Sequence, residues 1–437
     1  MRLFLFCILA ARLVAQEDPS AVLQRVREKV GQTLDRLPRY MCTQVTERSQ
    51  WVANKDTPTY TCDALSALRQ KKPLRMVLES VDRIRLDVAV GGASGEMYSW
   101  AGDNQFSQGR LSDLVTQGTT QSGSYYSFLK MIFRTDSAAI SYRGTIDEDH
   151  RSLLEFAFDV PREASHWVLV YRNQEDDEKV LPYGGTFLAD PKTGDLVHLE
   201  VHGIDFANSL YECEISNSFH FERTRVPGGD LLLPVESRLK MVDVSGREFG
   251  NNTVYLGCRE FLGQSTIQFG PSSNPLPAGW SDVGDSPTTT QAAQPLLPAG
   301  LEFAVEFRQD LDLETAAGGD RLPARLACDL KDPSSTVLAH KGAAIAARLV
   351  GLTHGTQYLT VRVSIRLETL EADGASLALP AVPKCGDPMA GDFRAPSPVC
   401  VPHRDDPYVV QLVFVNNAHR KLPAAALQTK WVTAAPR

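Results

Sequence analysis

His198, Glu200 and His202 stand at alternate positions in Leu196-Val197-His198-Leu199-Glu200-Val201-His202. On a strand, alternate side chains share one face and successive members lie about 7 Å apart. Two imidazoles and a carboxylate so placed are a ligand set for zinc or iron. The same alternation arises when Val197, Leu199 and Val201 face a core and the polar three face water. No other residues mark a surrounding that would orient metal ligands. The expectation is therefore the water-facing one, with no metal and no cofactor. Asp147-Glu148-Asp149-His150 and Glu175-Asp176-Asp177-Glu178 are expected at hairpin turns. They lack the Asp-x-Asp-x-Asp-Gly layout of a calcium loop and read as solvated turns.

Nucleophilic chemistry finds less support. The chain has no Gly-x-Ser-x-Gly elbow. Gly123-Ser124-Tyr125 reads as a helix start, with Ser122 or Ser124 as cap. Gly91-Gly92-Ala93-Ser94-Gly95 lacks the Lys-Ser/Thr ending of a phosphate loop and joins two strands. Carboxylate pairs for glycoside hydrolysis cannot be placed from sequence. Beyond Cys7 the cysteines are Cys42, Cys62, Cys213, Cys258, Cys328, Cys385 and Cys400, with no Cys-x-x-Cys and no zinc-finger spacing. Their expected use is in disulfides, which disfavours a Cys–His nucleophile. Chain proximity suggests Cys42–Cys62 and Cys385–Cys400, with Cys213–Cys258 joining two strands. Cys328 is left as a reduced, buried residue on a strand. The chain reads as a non-enzymatic protein.

Met1 to Ala15 give those disulfides their compartment. Arg2, the apolar run Leu3 to Ala11, Arg12 and Leu13-Val14-Ala15 precede the polar Gln16-Glu17-Asp18-Pro19. A cationic start, a short apolar core and a small residue at the cut describe a secretory signal peptide. The core falls short of the ~20 apolar residues that span a bilayer. The mature chain is expected to be exported, periplasmic or secreted, without a transmembrane segment. A net charge of −8, spread along the chain, argues against nucleic acid and against docking on anionic lipid, both of which need clustered Lys and Arg.

The elements that must position any site follow from periodicity. Val22, Leu23, Val26, Val30, Leu34 and Leu37 recur at helical spacing within Ala21–Leu37, and Pro38 stops that helix. From Tyr40 the period is two. Ile84, Leu86, Val88 and Val90 alternate with Arg83, Arg85, Asp87 and Ala89, and Leu154 to Val160 and Phe219 to Glu222 repeat the pattern. That pattern is an antiparallel sheet wetted on one side. Within Ser124–Phe133 the helical period returns, carrying Tyr125, Phe128, Leu129, Ile132 and Phe133. Pro271 to Pro298 is a Pro/Ser/Thr-rich linker. Short strands with glycine-bearing turns follow it and suggest a small barrel or sandwich. The expected organisation is a signal peptide at 1–15, a helix-covered antiparallel half-barrel at 16–269, a linker at 270–298 and a small all-β domain at 299–437. The fold class is mainly β with a few helices.

Arg83-Ile84-Arg85-Leu86-Asp87-Val88, Glu96-Met97-Tyr98-Ser99-Trp100, the inserted helix, Gly185 to Asp190, Leu196 to Val201, Leu231 to Glu236 and Cys258-Arg259-Glu260-Phe261 occur in an order that resembles the LolA-type half-barrel. That is the fold of periplasmic lipoprotein carriers and related stress sensors. Leu37 to Gln44 with Glu47-Arg48 is similar to the opening of secreted bacterial proteins that have no assigned activity. Leu297 to Gly300, Ala317 to Asp320, Ala324 to Leu326 and His340 to Ala343 resemble the β-barrel of TrbI-type envelope proteins.

The LolA-type resemblance implies a binding protein whose half-barrel holds a lipid, an acylated protein or a hydrophobic peptide. The expected lining is Trp100, Tyr125, Phe128, Leu129, Ile132 and Phe133. In that setting the inserted helix either fills the concave face as core or lids a cavity. The alternative is a cell-envelope interaction or scaffold module without a small-molecule ligand. A metal-dependent enzyme at His198, Glu200 and His202 comes third.

Overall fold

The computed structural model describes residues 17–37, 40–53, 60–71, 75–90, 96–103, 105–107, 110–121, 124–135, 137–148, 150–171, 174–206, 211–226, 229–260, 297–356, 359–386, 398–415, 417 and 419–435. The expected signal peptide and nearly all of the expected linker lie outside them. The chain is mainly β, antiparallel, with few helices. In chain order the elements are α1 (Pro19–Arg36), β1 (Tyr40–Ala53), α2 (Cys62–Lys71), β2 (Met76–Val90), β3 (Glu96–Trp100), the single turn α3 (Leu111–Leu114) and α4 (Ser124–Leu129). Then come β4 (Ala139–Glu148), β5 (Arg151–Val160), β6 (Val168–Tyr171), β7 (Gln174–Val180), β8 (Tyr183–Ala189), β9 (Leu196–Gly203), β10 (Glu212–Val226), β11 (Gly229–Asp243) and β12 (Glu248–Glu260). Further strands follow between Glu302 and Thr433. No helix among the described residues is long and apolar enough to cross a membrane.

By contacts the chain forms two compact units. The first comprises 1–37, 124–207 and 215–237, the second 38–123, 208–214 and 238–437. In the first, Asp18 caps α1 by accepting from the Ser20 amide at 3.1 Å, and Pro19 opens the helix. The stripe Val22, Val26, Val30 and Leu34 is buried. β4, β5, β8, β9 and β10 pair in that order, all antiparallel. Phe156, Phe158, Phe187, Leu199, Val201 and Phe219 are buried on the sheet. Glu175 to Glu178 lie on β7 rather than in a turn, because the hairpin reverses between Tyr171 and Gln174, ahead of the acidic run.

In the second unit β12, β1, β2 and β3 pair in that order. Ile84, Leu86, Val88, Tyr98, Trp100, Leu111 and Val115 form one apolar cluster. β2 also pairs, through Ser80 to Asp82, with the strand Ala344–Gly355. That strand belongs to a second cluster that includes Val305, Leu349, Val363, Ile365, Val410 and Trp431. Ala317-Gly318-Gly319-Asp320 is laid along β2. The Arg85 amide donates to the Gly318 carbonyl at 2.7 Å, the Gly318 amide donates to the Arg83 carbonyl at 2.7 Å, and Arg85 pairs with Asp320. Gly319 has φ +108°, and a Cβ there would strike the Trp100 ring at 2.8 Å. Only glycine fits this approach.

The disulfides correct two expected pairings. Cys42 bonds Cys258 and Cys62 bonds Cys213, while Cys385–Cys400 is as expected. The reason is strand register. Met41 lies opposite Arg259 and Thr43 opposite Leu256 across a bulge, which brings Cys42 and Cys258 to a Cα separation of 4.1 Å. Cys62 opens α2 and meets Cys213 at the start of β10, Cα atoms 5.0 Å apart. Cys328 is free as expected, yet exposed rather than buried, because it follows the strand Arg321–Leu326 instead of lying on it. Three disulfides suit an oxidising compartment.

Candidate functional site

Five of the six residues expected to line a cavity come together in the first unit. Tyr125, Phe128, Leu129, Ile132 and Phe133 are all buried. Phe128 meets Trp167, Tyr183 and Phe219 edge-on, with ring centroids 5.2, 5.2 and 6.1 Å away. Phe133 meets Phe187 at 5.0 Å, and Phe187 stacks on Phe156. Trp100, the sixth, belongs to the apolar cluster of the second unit.

The helical reading of Ser124–Phe133 holds with one change of hydrogen bonding. α4 ends at Leu129 and continues as a π turn over Lys130–Arg134. The turn buries three consecutive side chains, Met131, Ile132 and Phe133. Thr135 closes the element, its amide donating to the Lys130 carbonyl and its hydroxyl to the Met131 carbonyl at 2.8 Å. π turns inside α-helices recur at functional sites.

Sequence reasoning missed three residues of this interior: Trp167, Tyr183 and Asn217. Trp167 follows a short 3-10 turn and carries no periodic signal. Burial pushes the Tyr183 phenol up, so it stays neutral. Asn217 lies on β10 opposite Val201 and is 2 % exposed. Its amide nitrogen has no hydrogen-bond partner among the described residues. Leaving such a group unmet costs about 1–3 kcal/mol. Its signal was present in the sequence as a polar residue in phase with Ile215 and Phe219.

On the same unit a groove of about 330 Å³ is lined by Arg151, Asp190, Asp195, His220, Phe221 and Arg223, among others. Arg223 grips Asp195 with two hydrogen bonds, at 2.8 and 2.5 Å, and Lys29 reaches it at 3.0 Å. Burial pushes the Asp195 carboxyl up, but the hydrogen bonds from Arg223 and Lys29 outweigh it and hold the carboxyl below its usual range. Asp195 is thereby committed to holding the β8–β9 turn against α1. His198 is half-buried while Glu200 and His202 are exposed, and Val197, Leu199 and Val201 are buried between them. Burial lowers the His198 pKa despite Glu148 and Glu200 nearby. Among the described residues no three His, Cys, Asp or Glu side chains gather as a metal site.

No family profile matches the chain, and no curated protein does. Among solved structures it is similar to a DUF1329 family protein from Desulfovibrio piger, at 9% identity over 57% of this chain and 96% of that one, with a TM-score of 0.26. It is similar to a LolA superfamily protein from Nitrosomonas europaea, at 9% identity over 55% and 93%, with a TM-score of 0.22. It is also similar to the Pseudomonas aeruginosa MucA/MucB complex structure, at 13% identity over 95% and 99%, with a TM-score of 0.14.

Proposed function

We propose that the chain is an exported, non-enzymatic binding protein, periplasmic or secreted after loss of residues 1–15. The interior of its first unit receives an apolar ligand: a lipid, an acylated protein or a hydrophobic peptide. One observation carries this reading. Three rings of that interior, Tyr125, Phe128 and Phe133, are supplied by a short element, one and a half turns of α4 and a π turn, with no disulfide holding it. Moving it aside uncovers Phe187, Phe219 and Tyr183, the rings that Phe128 and Phe133 now touch. A floor of aromatic side chains suits acyl chains and apolar peptides alike. Extraction of the protein from its own host compartment, followed by mass spectrometry of organic-soluble material, is expected to yield a stoichiometric apolar ligand. Protein that is clean in every such preparation removes the proposal.

A second reading, an envelope interaction module, draws on β4. That strand leaves most of its side chains exposed, with Tyr142 and Ile146 at 39% and 38%, and exposed strands of this kind can add a partner's strand. Cross-linking in intact cells separates the two, since a module captures a protein partner whether or not an apolar ligand is retained.

A further inference from the structure

Among the described residues of the first unit, the Asn217 side chain is a buried carboxamide whose nitrogen the fold leaves without a partner. Asn217 sits on β10 in phase with Ile215 and Phe219, both buried. Register sets it opposite Val201 of β9, and Val201 opposite Gly185 of β8. Neither Val201 nor Gly185 offers a donor or acceptor side chain to the Asn217 amide, which stands without a partner among the described residues. Two residues along the strand, Phe219 lies against Phe128 of α4. Asn217 thus lies about 7 Å along the strand from the residue that this element covers. At a position where apolar residues alternate, a carboxamide weakens packing unless something supplies its missing bond.

The structure assigns Asn217 as the hydrogen-bond donor to the carbonyl of an acyl chain, ester or amide, that enters the first unit's interior when α4 and its π turn move aside. The inference rests on the reading above and adds the part of the ligand that is recognised. An aromatic floor accepts any apolar chain and selects little. A desolvated amide selects, because a ligand without an acceptor leaves it unmet while a carbonyl satisfies it. The carbonyl oxygen of an ester or an amide accepts and cannot donate, so the NH₂ end of the side chain is the one that meets it.

The test uses the whole protein and three fluorescent long-chain probes: an acyl ester, the matching acyl amide, and the matching alkane without a carbonyl. Titrations compare the wild type with Asn217→Leu, which keeps the branched side-chain skeleton and removes its polar atoms. The wild type is expected to bind a carbonyl probe about tenfold more tightly than the alkane, the worth of one hydrogen bond. In Asn217→Leu that preference disappears, while alkane binding and the melting temperature do not fall. A preference for the ester points to a lipid source, and one for the amide points to an acylated protein terminus. Equal binding of alkane and carbonyl probes by the wild type overturns the assignment and leaves interior binding standing. So does a preference that survives in Asn217→Leu, with or without a lower melting temperature. Failure of all three probes to bind overturns the binding reading, and this assignment with it.

Discussion

In the second unit, buried charges meet their counter-charges. Asp87, 1 % exposed, accepts from Thr43, from the Gly102 amide at 3.0 Å and from Arg259 at 2.9 Å. Arg48 holds Asp82 with two bonds of 2.6 Å and donates to the Gln117 carbonyl. Arg348 is clasped by Glu368, by Asp103 at 2.7 Å and by the Gly319 carbonyl at 3.0 Å. All three disulfides lie in this unit. The interior of the first unit is held instead by ring packing and contains no cysteine among its described residues. The difference teaches where change is affordable. Paired buried charges resist opening because each lost partner strands a buried charge. Apolar packing can be exchanged for an apolar ligand at little net cost.

The largest effect is expected from the covalent contrast. In Cys42→Ser/Cys258→Ser, the lost bond had closed a span of 216 residues, and the loop-entropy relation puts its worth at about 5 kcal/mol. Hydrogen exchange is expected to show β1 and β12 losing protection while β5, β8 and β9 keep theirs. Equal loss in both sets breaks the contrast. Arg348→Met strands Glu368 and Asp103 at a site where the arginine is 2 % exposed, with a cost of about 3–5 kcal/mol. Urea unfolding measures it, and a cost under about 1 kcal/mol, the level of an exposed pair, contradicts the account of the second unit.

The smallest effect sharpens the comparison with one histidine in each unit. Burial lowers the pKa of His198 in the first and of His354 in the second, where Arg83 lowers it further. The unfolded chain therefore binds these protons more readily than the folded one. Both contributions are present above the ordinary histidine range near pH 6.5 and are lost as pH falls through it. Urea unfolding between pH 7.5 and 5 is expected to show declining stability, and His198→Asn or His354→Asn is expected to flatten the slope. An unchanged slope in both variants removes histidine burial as the cause.

The sequence made α1, the α4 element and many strands readable because one-sided burial imposes a period, but not α2, of whose residues only Leu65 is buried. Val22, Val26, Val30 and Leu34 recur by helix, and Ile84, Leu86 and Val88 by strand. The π turn was hidden, since Ile132 and Phe133 fit an α-helical stripe equally well. Proximity along the chain misplaced Cys42 and Cys62, because β1 finds its neighbour β12 far away in sequence. The pairing of Ser80–Asp82 with Thr353–Gly355 left no mark, since the residues on either side of the linker carry no complementary pattern. In the site, aromatic residues at helical spacing could be read. Asn217 was passed over as one more polar residue on a sheet whose polar positions mostly face water.

The account turns on whether the α4 element yields to a ligand while the sheet beneath it stays. Hydrogen exchange of the whole protein with and without saturating acyl-ester probe tests this directly. The expected result is faster exchange across 124–135, slower exchange in β10 around Asn217, and no change in β1, β2 or β12. A probe that binds while exchange across 124–135 stays the same contradicts it.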